Sequence, residues 1–149
     1  MSKVDAEVDY LKSTGRLSVT LGSFIALYRL DKSSVLPDNA WFTALGIGLL
    51  MYLIYEVVKN LKLVGKIKAK AFWLGTFEDE FSQHVYDLAN RVGLGILGFV
   101  ILAFAMLDDL SWLIPQGMSI AEFCQTLAAI WFLSMGITIV KGMRDTDED

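Results

Sequence analysis

Apolar side chains along this chain gather into four runs separated by short polar stretches. The two prolines, Pro37 and Pro115, both fall between runs and punctuate them. Leu17 to Leu30 is the first run, 14 residues between Arg16 and Asp31 with Arg29 inside it. Ala40 to Val58 is the second, 19 residues in which only Glu56 is charged. The third, Val92 to Leu107, holds 16 residues without a charge, and the fourth, Phe123 to Val140, holds 18. Crossing a bilayer as a helix takes about 20 residues. With their flanks, the runs predict spans at about 13–31, 40–58, 89–108 and 120–141. The first is short and crosses only if Lys12, Arg16 and Arg29 snorkel to the headgroups. Its competing reading is an amphipathic helix lying on the membrane surface.

Local signals mark the helix ends. Pro37-Asp38-Asn39 offers a turn and an N-cap for the second run. Ser119 and Glu122 match the S-x-x-E capping box ahead of the fourth. Trp41, Tyr52, Tyr55 and Trp112 stand near run ends, as interfacial aromatics do.

Between runs two and three, residues 59–91 keep helical periodicity on both sides of one break. Leu63, Ile67, Ala71 and Leu74 form one stripe, and Lys59, Lys62, Lys66 and Lys70 another, so the second helix is expected to continue to about Leu74. Gly75 supplies a C′ residue, and Thr76 with Asp79 reads as a second capping box. The arm from Phe77 to Arg91 carries Glu78, Asp79, Glu80 and Asp87, with Asp87 and Arg91 spaced as a helical ion pair. The expectation is an antiparallel helical hairpin in which Lys70 meets Glu80 and Lys66 meets His84. The lysine stripe equally suits anionic lipid headgroups.

Lysine and arginine set the orientation. Four spans put 11 basic residues on the side of the hairpin and both termini, against Arg29 and Lys32 on the other. The basic side is cytoplasmic by the positive-inside rule.

Composition agrees with a membrane protein. Hydrophobic types make up 54% of the 149 residues and charged ones 20%. The mean hydropathy is +0.48. That excludes intrinsic disorder and argues against a soluble globule. The net charge of −4 argues against a nucleic-acid partner. The N-terminal stretch does not read as a secretory signal, since Asp5, Glu7 and Asp9 stand where a basic region belongs.

Few residues invite chemistry. Gly93, Gly95 and Gly98 spell G-x-G-x-x-G, but inside an apolar run and not after a strand. They read as a close-packing helix surface, with Ala44 and Gly48 as a counterpart on the second span. His84 is the single histidine. With Glu80 and Asp87 it shares one helical face, read as solvated and in contact with a partner or lipid rather than with a metal. One histidine excludes a bis-histidine haem within the chain and the paired Glu-x-x-His motifs of a di-iron cage. Cys124 reads as a buried, inert thiol, and Glu56 and Glu122 as interfacial carboxylates near span ends. No catalytic residue, cofactor site or metal site is assigned.

The acidic start Glu78-Asp79-Glu80-Phe81 precedes a two-span segment ending in Lys141 and Arg144. This layout resembles that of small bacterial inner-membrane proteins. The resemblance covers those few residues and a spacing, and brings no site with it.

The sequence thus predicts a single all-α transmembrane domain over residues 1–149. It has four transmembrane helices, a cytoplasmic hairpin at 59–91, an acidic tail at 142–149 and both termini in the cytoplasm. The expected role is a non-enzymatic accessory or scaffold subunit of the bacterial inner (plasma) membrane. It would contact lipid, anionic headgroups included, and other membrane subunits or further copies of itself. The alternative is a small oligomeric channel or transporter.

Overall fold

A computed structural model describes residues 3–32, 40–67, 69–106 and 119–144. Five helices are present among them: α1 (Lys3–Lys32), α2 (Ala40–Val64), α3 (Ala69–Leu74), α4 (Glu80–Met106) and α5 (Ile120–Arg144). Three contain segments long and apolar enough to cross a membrane: Trp41–Val64, Glu80–Phe104 and Ile120–Arg144. The first helix is as long as these but is not among them.

The helices run up and down. α1 packs along α5 and along α2, α4 packs along α5, and α2 and α4 share no extensive contact. The antiparallel sense of α1 and α5 follows from their pairings. Gly15 lies beside Ile139, Gly22 beside Leu133, and Arg29 beside Glu122. α1 is therefore a central helix, flanked by α2 on one side and α5 on the other. It buries Ala6, Tyr10 and Leu11, but also Glu7, Ser13, Ser18 and Thr20. The outer faces of α2 and α4 are the apolar ones, with Trp41, Ile47, Met51, Leu94, Phe99 and Leu102 all exposed.

Glycine sets the closeness of α1 and α5. A Cβ built at Gly136 would stand 2.7 Å from the backbone nitrogen of Val19 and 2.8 Å from the carbonyl oxygen of Gly15. One at Gly22 would stand 2.9 Å from the backbone nitrogen of Leu133. Neither neighbour is a flexible side-chain tip, so the two backbones approach only because these positions lack a side chain.

Some helix ends form as the sequence predicts. Ser119 and Glu122 form both halves of the capping box. The Ser119 N–H donates to Glu122 Oε2 at 2.8 Å, and the Glu122 N–H donates to Ser119 Oγ at 3.3 Å. Gly75 adopts φ of 60°, the left-handed conformation expected after a helix.

Residues 59–91 differ from expectation. α2 stops at Val64, not Leu74. Gly65 and Lys66 form a turn closed by the Lys66 N–H on the Leu63 carbonyl at 2.8 Å, and the six-residue α3 follows. Gly65 weakens helix propagation at that point by about 1 kcal/mol relative to alanine. The cap of α4 is Asp79, not Thr76: its Oδ2 accepts the Ser82 N–H at 2.8 Å and the Ser82 hydroxyl at 2.7 Å. The described residues do not show the expected hairpin of two packed arms, since neither α2 nor α3 packs extensively along α4. The first turns of α1 supply the packing partner instead. Tyr10 meets Phe77 with ring centroids 6.4 Å apart, and Glu7 Oε2 accepts the N–H groups of Glu78 at 2.8 Å and Asp79 at 3.2 Å. Among the described residues, no ion pair joins Lys70 to Glu80, Lys66 to His84 or Asp87 to Arg91. Asp87 accepts from Gln83 instead, at 2.9 Å.

The apolar core sits at this same end. Tyr10 and Leu11 of α1, Leu63 of α2, Ala71 of α3, Phe77, Val85 and Ala89 around α4, and Met135, Ile139 and Met143 of α5 form one cluster. Burial pushes the Tyr10 phenol above its ordinary ionisation range. The acidic tail beyond Arg144 and the segment around Pro115 lie outside the described residues.

Candidate functional site: helix-packing surfaces and a buried polar seam

The small residues singled out from the sequence separate into two groups. Gly93 sits under Trp131 of α5, where a Cβ would come within 3.0 Å of the indole Cδ1. Trp131 in turn lies beside Phe132, with ring centroids 5.2 Å apart. Gly48, Gly95 and Gly98 have nothing within 4 Å of a built Cβ, and Ala44 is exposed. The G-x-G-x-x-G run therefore makes one intrachain contact and leaves two notches open on the outer surface.

Four glycines of the closest packing were not singled out: Gly15 and Gly22 on α1, and Gly136 and Gly142 on α5. A signal for them was present. Gly15, Ser18 and Gly22 recur at three and four residues, as a small-residue helix face does.

A polar seam joins α1 to α2. Glu56 is buried among the helices, at 1% exposure. Its Oε1 accepts the Tyr52 hydroxyl at 2.9 Å, and its Oε2 faces the Ser13 hydroxyl at 3.5 Å. One turn further along, Asn60 Nδ2 donates to Thr14 Oγ1 at 3.0 Å. The sequence separations of 43 and 46 residues make these contacts invisible to a scan of either helix alone. They give two polar residues of α1 partners that water would otherwise supply.

At the opposite end, Arg29 Nη1 donates to Glu122 Oε1 at 2.7 Å. This couples the charge that interrupts the first apolar run to the carboxylate that caps α5.

The remaining predicted contact residues are on the surface of the other end. Lys62, Lys66, Lys70, Glu80, His84 and Asp87 are exposed, and Lys59 is half-buried. Among the described residues, no cluster of three metal-ligating side chains occurs. Cys124 is exposed on α5, not buried as expected. The hydroxyls of Thr126, Ser134 and Thr138 donate to carbonyls of their own helix at 2.8 to 3.0 Å, so they do not form a row of free donors.

Comparison with known protein families, curated proteins and solved structures finds no match.

Proposed function

We propose that the chain is a non-enzymatic integral membrane protein of four spans, a small accessory or scaffold subunit that acts by helix packing and through its charged cytoplasmic end. The observation that carries this reading is the outer surface of α2 and α4. Trp41 is 80% exposed, Phe99 73% and Met51 66%, while Ser13, Ser18 and Thr20 of α1 are buried. A continuous apolar exterior of this kind suits lipid tails, not water. The open notches at Ala44, Gly48, Gly95 and Gly98 lie on that exterior and suit close approach by a helix of another subunit or another copy.

α1 is the fourth crossing. It runs antiparallel beside α5 from Gly15–Ile139 to Arg29–Glu122, so it follows α5 through the bilayer. Ser13, Thr14 and the Arg29 Nη1 group find partners at that depth in Glu56, Asn60 and Glu122. The excess of Lys and Arg at the end holding α3, the start of α1 and the end of α5 makes that end cytoplasmic. By the resemblance noted above, the membrane is the bacterial inner membrane.

Single-cysteine labelling tests the topology. In a Cys124→Ala background, Thr76→Cys should react with an impermeant thiol reagent only from the cytoplasmic side, and Ser33→Cys only from the other. Labelling of both from one side sinks the four-span reading. Mass measurement from native membranes tests the role. Recovery within a hetero-complex, without ion flux after reconstitution, supports the subunit. A closed homo-oligomer that conducts ions replaces it with the channel.

A further inference from the structure

The cationic residues at the cytoplasmic end of α1 and α5 converge on one cavity. Lys12 and Arg16 are one turn apart on α1, and Lys141 and Arg144 nearly one turn apart on α5. Because the two helices are antiparallel, both pairs arrive at the same level. Arg16, Lys141 and Arg144 line a cavity of about 450 Å³ between α1, α2 and α5. A smaller adjoining one of about 170 Å³ is lined by Lys12, Arg16 and Arg144. Among the described residues, no acidic side chain lines either cavity.

The rest of the larger wall is different in character. Val19 and Thr20 of α1, Tyr52 of α2, and Ile137 and Val140 of α5 extend it towards the membrane interior, and the two hydroxyls are already donated, Thr20's to the Arg16 carbonyl and Tyr52's to Glu56. The site therefore has a cationic mouth and an apolar depth, in the volume range of pockets that hold small amphiphiles. Like charges gathered at one mouth repel each other unless an anion neutralises them. Arginine suits a phosphate through paired N–H donors, and lysine as a point charge.

We propose that this cavity binds one anionic phospholipid, its phosphate held by Arg16, Lys141 and Arg144 and one acyl chain laid against Val19, Ile137 and Val140. The inference rests on the membrane-spanning reading above. It differs from the lysine stripe at 59–70, whose members Lys59, Lys62, Lys66 and Lys70 lie on α2, the turn after it and α3, and line neither cavity. The acidic tail at 145–149 is a competing anion, but Asp145, Thr146, Asp147, Glu148 and Asp149 include no apolar side chain to fill the depth. A lipid satisfies both halves of the site.

Native mass spectrometry of the full chain, delipidated in detergent and titrated with phosphatidylglycerol or phosphatidylcholine of identical acyl chains, tests the proposal. One tight phosphatidylglycerol adduct is expected, favoured over phosphatidylcholine by at least about tenfold. The triple variant Arg16→Gln/Lys141→Gln/Arg144→Gln should abolish the preference. The charge-matched Lys59→Gln/Lys62→Gln/Lys66→Gln should change it by less than about threefold. Val140→Trp, which fills the cavity without altering charge, should weaken both lipids. Equal binding of the two lipids by the natural chain overturns the proposal, whether or not the variants fold. So does equal loss in the control triple, or equal protection against thermal unfolding by inorganic phosphate alone. The cysteine labelling above fails or succeeds independently, which separates loss of this site from loss of the topology.

Discussion

Arg29 near the end of α1 and Glu122 in the first turn of α5 are 93 positions apart and joined at 2.7 Å. Each is awkward alone. Arg29 interrupts an apolar run, and Glu122 opens a helix apolar enough to cross a membrane. Together they neutralise each other and fix the level at which α1 and α5 meet. Arg29→Gln and Glu122→Gln should each lower the melting temperature in a fixed detergent. The double variant should lose less than the two losses added, since either single change already removes the ion pair. Glutamine at 122 keeps the capping bond to Ser119, so the cycle isolates the charge. Strict additivity in the melts counts against the coupling.

Gly136 tests the closeness of the central pair. Gly136→Ala places a methyl group within 3 Å of backbone atoms of Gly15 and Val19. Overpacking of this kind costs about 1–3 kcal/mol. Gly95→Ala and Gly98→Ala meet nothing within the chain and should leave its stability unchanged or slightly raised. Reversible unfolding in mixed micelles measures all three. Equal effects at the three positions would mean that α1 and α5 do not approach as described.

Glu7 ties the connection before α4 to α1. Its carboxylate accepts two backbone N–H groups, from Glu78 and Asp79, while 2% exposed. Glu7→Ala leaves both donors without that partner, a loss of about 1–3 kcal/mol. Hydrogen exchange should quicken at the amides of Glu78 and Asp79 and stay unchanged in the middle of α5. Unaltered protection at those two amides would contradict the tie.

Gly75 is constrained twice. Its φ of 60° disfavours any side chain, and a Cβ there would overlap the ring of Tyr86. Gly75→Ala should therefore destabilise by more than the roughly 1–2 kcal/mol of the left-handed conformation alone. Adding Tyr86→Ala should recover the steric part only. Thermal melts of the single variants and of the pair separate the two contributions.

Much of the secondary structure was readable from the chain, and its failures were of two kinds, local competition between signals and burial set by another helix. The cap at Ser119 and Glu122 and the turn at Gly75 are local, and local chemistry decides them. Asp79 displaced Thr76 as a cap because Ser82 gave it two donors, and α2 ended early at Gly65, a residue that weakens a helix from within. The burial of Glu56 was not legible, because it is set by Ser13 and Tyr52 packing around it, and Ser13 belongs to another helix.

The sequence by itself determined three apolar helices, their polarity and the gathering of positive charge at one end. These are sums over neighbouring residues, and a window along the chain captures them. Only the tertiary structure decided the place of α1. Its own hydropathy falls short of a span, yet it packs along both α2 and α5. Its buried Ser13 and Thr14 are matched by α2, its Arg29 by α5, and its glycines by the backbone of α5. The burial of a polar helix depends on partners brought from elsewhere in the chain, and no count of its own residues contains them.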